Sequence, residues 1–283
     1  MESCIHKGEE ICAYELKDSS GIYRVERVEE LKLAAARGEL ICSDCGSRVY
    51  LAAGVVKEPY FSHYDLSVCE YSANRESEEA LRGKRLLYHL LRTSFPEEEV
   101  HTRYKLKNGL YCSFYLPFRD GNPLAVEYRL YNTGIEEFYI RDQYYREEGI
   151  IPVYILGYRV DKNDKQLSWY QNLIQKSMGY CAFLDSVQEK IYLKRSFYSP
   201  FERKGKVTLF RKEYPVKELL LNRKGNLSAE FMEECIKREK ALALPEGIRE
   251  DILENALRLV KEGKEYLVSE KYRNFIRERN LAP

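Results

Sequence analysis

The chain has 283 residues, of which 44% are hydrophobic and 13% aromatic, enough to bury one hydrophobic core and a second, smaller one. A net charge of +1 gives no global reason to expect a polyanion partner, so any nucleic-acid surface has to be a local patch. The polar start argues against secretion, and the longest apolar run, near residues 150–156, is too short to cross a bilayer. We therefore expect a cytoplasmic protein without membrane contact, whose eight cysteines are thiols or metal ligands rather than disulfides.

Residues 1–41 are predicted to form a β-hairpin followed by a short helix. The hairpin strands are expected at 11–16 and 21–25, where apolar residues flank a polar turn. The helix is expected at 28–37, and Gly38 marks its end. This segment carries no residues whose spacing indicates a metal site.

Residues 42–74 are predicted to form a zinc-ribbon-like module that starts with a CxxC knuckle. Cys42 and Cys45 provide the two thiols, and Gly46 allows the backbone to turn so that both sulfur atoms face one point. Two short strands follow, at 48–52 and 59–62.

His63 and Cys69 follow this strand pair and complete a set of four candidate ligands with Cys42 and Cys45. Three thiolates and one imidazole suit tetrahedral zinc, and the second half-site follows a hairpin of the length that a ribbon needs. The alternative is a redox-active CxxC with an unrelated His and Cys downstream. Four protein ligands would leave no open position, so this zinc would be structural and would contribute folding free energy.

Residues 75–160 are predicted to form an α/β core in the order helix, three strands, helix, strand. The Asp-Gly-Asn-Pro segment at 120–123 predicts the turn between the second and third strands. The predicted helices are 77–93 and 135–147, and the predicted strands are 99–106, 110–116, 124–130 and 149–156.

Glu127 is a carboxylate in the middle of an apolar predicted strand, and its burial requires a compensating charge. In one interpretation it pairs with Arg129, which lies two residues further along and on the same face of the strand. In the other, carboxylates on neighbouring elements hold a divalent cation against a phosphate, as in a nuclease.

Residues 161–283 are predicted to form an extension with a basic and aromatic hairpin at 194–217 and three amphipathic helices after it. The hairpin either binds phosphates and stacks on bases, or is a solvated surface element. The helices, at 228–241, 248–262 and 268–279, are either structural or a docking surface for a protein partner. The candidate DNA contacts in the hairpin are Lys194, Arg195, Arg203, Lys204 and Lys206.

Taken together, the motifs resemble the competence protein CoiA-like family. The resemblance covers roughly residues 1–195, and it follows the order of the knuckle, a Tyr-Phe-Ser-His segment, a further Cys, a Glu-Ser-x-Glu helix with Gly83-Lys84, and an Ala-Val-Glu-Tyr strand. An Arg-x3-Tyr-x3-Gly-Ile pattern from Arg141 and the segment 169–171 extend it. The family is similar to restriction-endonuclease-fold nucleases of the PD-(D/E)XK type. The resemblance implies an α/β (α+β) chain with a nuclease-like core, an N-terminal zinc-ribbon-like module and a mostly helical C-terminal region.

The resemblance also implies where a nuclease site would lie. It places the helix glutamate of the family at Glu79 and the strand glutamate at Glu127. The metal-bridging aspartate falls on Ser113, the residue two places after the strand glutamate is Arg129, and a histidine of the helix falls on Ala80. On its own, a glutamate in the position of Glu79 is more often a surface residue that compensates the helix dipole than a ligand. Lys84 and Arg141, which belong to the resembling motifs, join the candidate DNA contacts.

Ser113 and Arg129 predict that this metal site is degenerate. A serine hydroxyl is a weak ligand for Mg²⁺, and a guanidinium about 4 Å from a cation costs on the order of 4 kcal/mol at an effective dielectric near 20. Our first hypothesis is a protein that binds DNA or a partner without cutting. The alternatives are an active Mg²⁺-dependent nuclease that uses Glu79, Glu127 and a relocated acid, and an interaction subunit of a DNA-processing or defence assembly.

Overall fold

The computed structural model describes residues 1–54, 58–69, 76–161, 165–198, 207–279 and 281. These residues form an N-terminal module, a seven-stranded mixed sheet with helices on both faces, and a C-terminal helical segment. The prediction of a mixed α/β chain is confirmed.

The N-terminal module begins with a three-stranded sheet in the order β2-β1-β3. Its hairpin turns at Lys7-Gly8, both with positive φ, which a two-residue hairpin loop requires. The predicted hairpin at 11–16 and 21–25 is therefore wrong, because the last four residues of its first strand form a 3-10 turn at Ala13–Leu16. The elements are β1 (Ser3–His6), β2 (Glu9–Cys12), α1 (Val25–Ala36) and β3 (Leu40–Ile41).

The predicted strand pair after the knuckle forms as β4 (Val49–Ala52) and β5 (Tyr60–His63), paired antiparallel. Both strands pack on α1 in one apolar cluster that also includes residues of β1 and β3. The segments 1–41 and 42–69 therefore share a single small core. Fully buried members of this core include Cys4, Leu16, Leu31, Leu40, Val49 and Phe61.

The main sheet has the strand order β12-β11-β10-β9-β8-β7-β6. Strands β8, β9 and β10 are mutually parallel and are joined by the crossover helices α3 and α4, whereas the other neighbours pair antiparallel. The predicted order is confirmed, and the sheet continues past residue 160 into the predicted extension. The elements are α2 (Glu78–Ser94), β6 (His101–Lys105), β7 (Tyr111–Leu116), β8 (Leu124–Arg129), α3 (Ile135–Glu147), β9 (Ile151–Gly157), α4 (Trp169–Met178), β10 (Cys181–Asp185), β11 (Lys190–Tyr198) and β12 (Val207–Pro215).

Three helices follow the sheet, close to their predicted positions: α5 (Ala229–Leu242), α6 (Glu250–Lys261) and α7 (Glu270–Glu278). Helix α5 packs on the main sheet through Phe231 and Cys235. Helices α6 and α7 form a small apolar cluster of their own around Leu253 and Phe275. Among the helices in the described ranges, none combines the length and apolar composition needed to cross a membrane.

The two faces of the main sheet pack against different helices. On one face Val126 and Tyr128 of β8 join the leucines of α2 and Phe231 of α5. On the other face Ala125 packs with residues of α3 and α4. Because neighbouring residues of a strand point to opposite faces, Glu127 lies on the side of α3.

Gly83 allows α2 to approach the sheet closely. A Cβ atom at this position would lie 2.2 Å from Tyr128 Oη and 2.4 Å from its Cζ, well inside van der Waals contact. The glycine of the Gly83-Lys84 motif therefore serves packing between α2 and β8.

We expect Gly83→Ala to destabilise the protein by about 1–3 kcal/mol, because the added methyl group overpacks the contact with Tyr128. The same change inside an unconstrained helix would stabilise it by up to about 1 kcal/mol. Denaturant unfolding measures the difference, with Gly54→Ala as the control, since a Cβ at Gly54 meets nothing within 4 Å. A Gly83→Ala protein as stable as the wild type would contradict the close approach.

Candidate functional site

Glu127 lies at the centre of a buried ion-pair cluster. Its side chain is 1% exposed, Arg129 Nη2 donates to its Oε2 over 2.9 Å, and Arg141 Nη1 donates to its Oε1 over 2.9 Å. Tyr145 Oη also donates to Oε1. Charge-assisted hydrogen bonds on both oxygens offset the cost of burying this carboxylate.

Helix α3 supplies two of these three donors. Arg141 and Tyr145 are four residues apart and therefore lie on one face of the helix, turned to β8. Burial, together with the charge of Glu127, raises the pKa of Tyr145, so its hydroxyl remains protonated and continues to donate. The Arg-x3-Tyr part of the sequence pattern thus encodes two hydrogen bonds to Glu127.

Arg141 does not lie on a surface that could contact DNA. It is buried, and it also donates to Glu137 Oε1 over 3.0 Å and to the carbonyl oxygen of Tyr111 over 2.9 Å. Arg141 was expected to contact DNA, but in the structure its guanidinium neutralises the carboxylate of Glu127.

Ser113 sits where β7 leaves its regular pairing with β8. Its hydroxyl accepts from Tyr128 N over 3.1 Å and donates to Tyr128 O over 3.5 Å. The side chain therefore takes the place of ladder hydrogen bonds. Its donor and acceptor are both engaged within the sheet, so it is poorly placed to hold a metal.

Glu79 and Glu127 do not come together. Glu79 lies in the first turn of α2, on the opposite side of the sheet from Glu127, and its Oε2 pairs with Arg159 Nη1 over 3.3 Å. The side chain of Glu79 is 32% exposed, consistent with a residue that compensates the helix dipole.

Glu76 is the acid that sequence reasoning missed. It lines a cavity together with Ser113 and Arg129, and its carboxylate pairs with Lys84, which also pairs with Glu2. In the motif Glu-Ser-x-Glu, Glu76 precedes α2 and lines the cavity, whereas Glu79 lies in the first turn of the helix and pairs with Arg159. Lys84 is buried between these two carboxylates rather than displayed for DNA.

Three cations in the described part of the basic hairpin pair with acids of the fold. Lys194 is 0% exposed and pairs with Asp161 over 2.7 Å, which removes it from the candidate DNA contacts. Arg195 donates to Glu239 over 3.0 Å, and Lys212 pairs with Glu230 and Glu234 of α5. The other three candidates, Arg203, Lys204 and Lys206, lie outside the described residues.

The four candidate metal ligands converge in the N-terminal module. One ligand atom from each of Cys42, Cys45, His63 and Cys69 can be chosen so that all lie within 4.8 Å of one another. Gly46 has φ +70, as the knuckle turn requires, and Cys45 Sγ lies 3.3 Å from His63 Nε2. A tetrahedral zinc with bonds of about 2.3 Å to sulfur separates its sulfur ligands by about 3.8 Å, so the spacing fits.

The electrostatic environment of the two knuckle thiols differs. Hydrogen bonding from Ser47, supported by His63, lowers the pKa of Cys45 to about 6. Burial raises the pKa of Cys42 to about 11. His63 turns its Nε2 toward Cys45 Sγ, and its Nδ1 is buried without a hydrogen-bond partner among the described residues.

Comparisons with known proteins agree on one relationship. The family model for the N-terminal domain of competence protein CoiA matches residues 23–72, which include α1, the knuckle and the β4–β5 pair. Competence protein CoiA of Bacillus subtilis (strain 168) is 30% identical over 122 residues, which are 43% of this chain. The match covers 32% of that protein, so the chain spans about a third of the length of the curated relative that it matches. None of the solved structures matches the chain.

Proposed function

We propose that this chain is a CoiA-like DNA-processing protein that binds DNA without metal-dependent cleavage at Glu127. The matched N-terminal region and the 30% identical CoiA relative support the family. The order helix, three strands, helix, strand in residues 78–157 supports a restriction-endonuclease-like core. The proposal extends the relationship from the matched parts to the whole chain.

The contacts of the Glu127 carboxylate are the main reason to expect that the protein does not cleave DNA. Both of its oxygens are bound by guanidinium groups, and the side chain is sealed from solvent. A divalent cation would have to displace Arg129 and would still face Arg141. Repulsion between one guanidinium and each unit of positive charge on the cation amounts to about 4 kcal/mol at about 4 Å and an effective dielectric near 20. This energy lowers the affinity for the cation roughly a thousandfold.

The competing candidate, an active nuclease, requires a second acid near Glu127. The described acids nearest to Glu127 are already paired: Glu137 pairs with Arg141, and Glu76 of the adjacent cavity pairs with Lys84. Magnesium needs one or two free carboxylates and near-octahedral oxygen ligation. The arrangement therefore favours ion pairs over a magnesium site.

Incubation of the protein with single- and double-stranded DNA is expected to give no hydrolysis with Mg²⁺ or Mn²⁺. Under the same conditions it is expected to shift the DNA at low salt, with an affinity that falls steeply as salt is added, because phosphate contacts release counterions. Gel-based cleavage and fluorescence anisotropy measure the two properties.

Cleavage that is lost in Glu127→Gln, with the fold retained, would establish the nuclease alternative. Complete absence of DNA binding at low salt would instead favour a protein-interaction subunit. Exposed apolar side chains support a protein-interaction subunit, because such side chains mark surfaces that bind other proteins. They are Ile252 of α6 and, in the segment before α7, Tyr266 and Leu267.

We further propose that the metal held by Cys42, Cys45, His63 and Cys69 is zinc. The donor set of three sulfur atoms and one imidazole, with no fifth protein ligand required, is typical of structural zinc. When bound, zinc would hold the knuckle and the segment after β5 together. Asp44 lies within the knuckle and pairs with Arg103 of β6, which links the zinc module to the main sheet.

A further inference from the structure

A cavity of about 200 Å³ is lined by residues of α2, β6, β7 and β8, and these include Arg129 of the Glu127 cluster. Among its described lining residues are three cations and a single carboxylate, Glu76. The cations come from three separate elements: Lys84 of α2, Arg103 of β6 and Arg129 of β8. Each of these cations also pairs with a carboxylate, so an anion in the cavity would use the donors that those pairs leave over.

Arg129 has unused hydrogen-bonding capacity in this cavity. Its Nη2 is engaged with Glu127 and lies 3.9 Å from Glu137, whereas Nε and Nη1 have no partner in the part of the chain that the structure describes. The side chain is 29% exposed. A guanidinium fork held on one side by a buried carboxylate presents its remaining donors in a fixed geometry, which suits the oxygens of a phosphate.

Arg103 reaches the same cavity from an unusual backbone conformation. Its φ is +45, a region that non-glycine residues rarely adopt, and it lies where the regular pairing of β6 with β7 is interrupted. Asp44 holds its guanidinium, which also stacks 4.4 Å from the ring of Tyr111. Such a backbone conformation costs about 1–3 kcal/mol of stability, and strained residues of this kind cluster at sites that bind ligands.

A neighbouring cavity lacks this excess of cations. It measures about 250 Å³ and shares Arg103 and Tyr111 with the first. Its lining places Glu2, Glu10 and Asp44 against Arg103, Lys105 and the residue of the amino terminus, Met1. An anion would therefore prefer the first cavity, on the side of Arg129.

We propose that the cavity between Arg103 and Arg129 is a phosphate-binding site that takes a phosphate group of a nucleic-acid strand. This inference rests on the proposed function, and it states where a DNA phosphate would bind next to the buried carboxylate of Glu127. A phosphodiester within the strand and a phosphate at its end offer the same oxygens, so the experiment must separate them.

The test uses the full chain, a fluorescent single-stranded oligonucleotide with or without a terminal phosphate, and inorganic phosphate as the smallest probe. Arg103→Gly removes one side chain and relieves the backbone, because glycine adopts φ +45 freely, so this variant is expected to fold. Arg129→Gln removes the other guanidinium. Lys107→Gln removes an exposed charge outside the cavity and serves as the matched control.

We expect Arg103→Gly and Arg129→Gln each to weaken oligonucleotide binding by about 10- to 100-fold and to reduce the salt slope by about one. Lys107→Gln should remain within about twofold of the wild type. Inorganic phosphate should raise the melting temperature of the wild type and the control more than that of Arg129→Gln. The general stabilising effect of phosphate cancels in this comparison.

Wild-type affinity for both probes in the two cavity variants would overturn the inference and leave the proposed function intact. Phosphate stabilisation that depends on Arg129, without oligonucleotide binding, would support the anion site and overturn the proposed function. A gain from the terminal phosphate would assign the site to a strand end, and equal affinity with and without it would assign an internal phosphodiester.

Discussion

Replacing Glu127 with alanine is expected to destabilise the main sheet by about 3–5 kcal/mol. The change would leave Arg141 without its buried carboxylate, Arg129 without its main partner, and the hydroxyl of Tyr145 without its acceptor. Uncompensated buried charge is among the largest causes of destabilisation by a single substitution. Equilibrium unfolding in denaturant, with melting temperature as a second measure, determines the size of the effect.

Two comparisons make this result specific. Glu127→Gln retains a hydrogen-bond acceptor but loses the charge, so we expect a smaller loss than for alanine. Glu137→Ala removes a 43% exposed partner of Arg141 and should cost no more than about 1 kcal/mol. If Glu127→Ala were neutral or stabilising, the carboxylate would be a strained functional group, as in a metal site, and the ion-pair interpretation would be wrong.

Removal of zinc is expected to unfold the N-terminal module while the main sheet remains folded. Structural zinc contributes about 10–16 kcal/mol of apparent binding free energy in zinc-finger peptides, which is comparable to the whole stability of a typical domain. The module's own apolar core is small, so it cannot replace this contribution. We expect about one zinc per chain, with loss of amide protection in β4 and β5 after chelation or in Cys42→Ser.

Cys235→Ala is the control for this experiment, because Cys235 is a buried thiol of α5 that lies outside the four-ligand cluster. It should keep the zinc and the protection of β4 and β5. Elemental analysis measures the zinc content, and amide hydrogen exchange measures the protection of β4 and β5. Unchanged protection of these strands in zinc-free Cys42→Ser would show that the metal does not hold the module together.

The sequence predicted the centre of the fold well, because its signals there are local. Aromatic and β-branched residues and the turn at 120–123 placed β7 and β8 within a residue or two of their observed bounds. The helix predicted at 77–93 forms as α2, and the side chain of Ser77 caps it. The first hairpin was misplaced because its turn, Lys7-Gly8, is short and its strands have four residues each.

The candidate site depended on packing that one sequence does not reveal. The pairing of Glu127 with Arg129 follows from their spacing along one strand, whereas the second guanidinium comes from Arg141, on a helix whose rotation is set by the core. The same limitation explains Glu76 and Glu79, since their positions depend on how α2 packs on the sheet through its leucines and through Gly83. Lys84, from a motif of the resembling family, and Lys194, from the basic hairpin, were assigned to DNA, whereas both are buried against internal acids.

A crystal structure of the protein soaked in Mn²⁺, with anomalous diffraction recorded, tests most directly whether guanidinium groups have replaced the metal at Glu127. We expect Arg129 and Arg141 to remain within hydrogen-bond distance of the two carboxylate oxygens, with no anomalous peak beside them. A manganese ion bound to Glu127, with Arg129 turned away and a second acid among the ligands, would contradict the account.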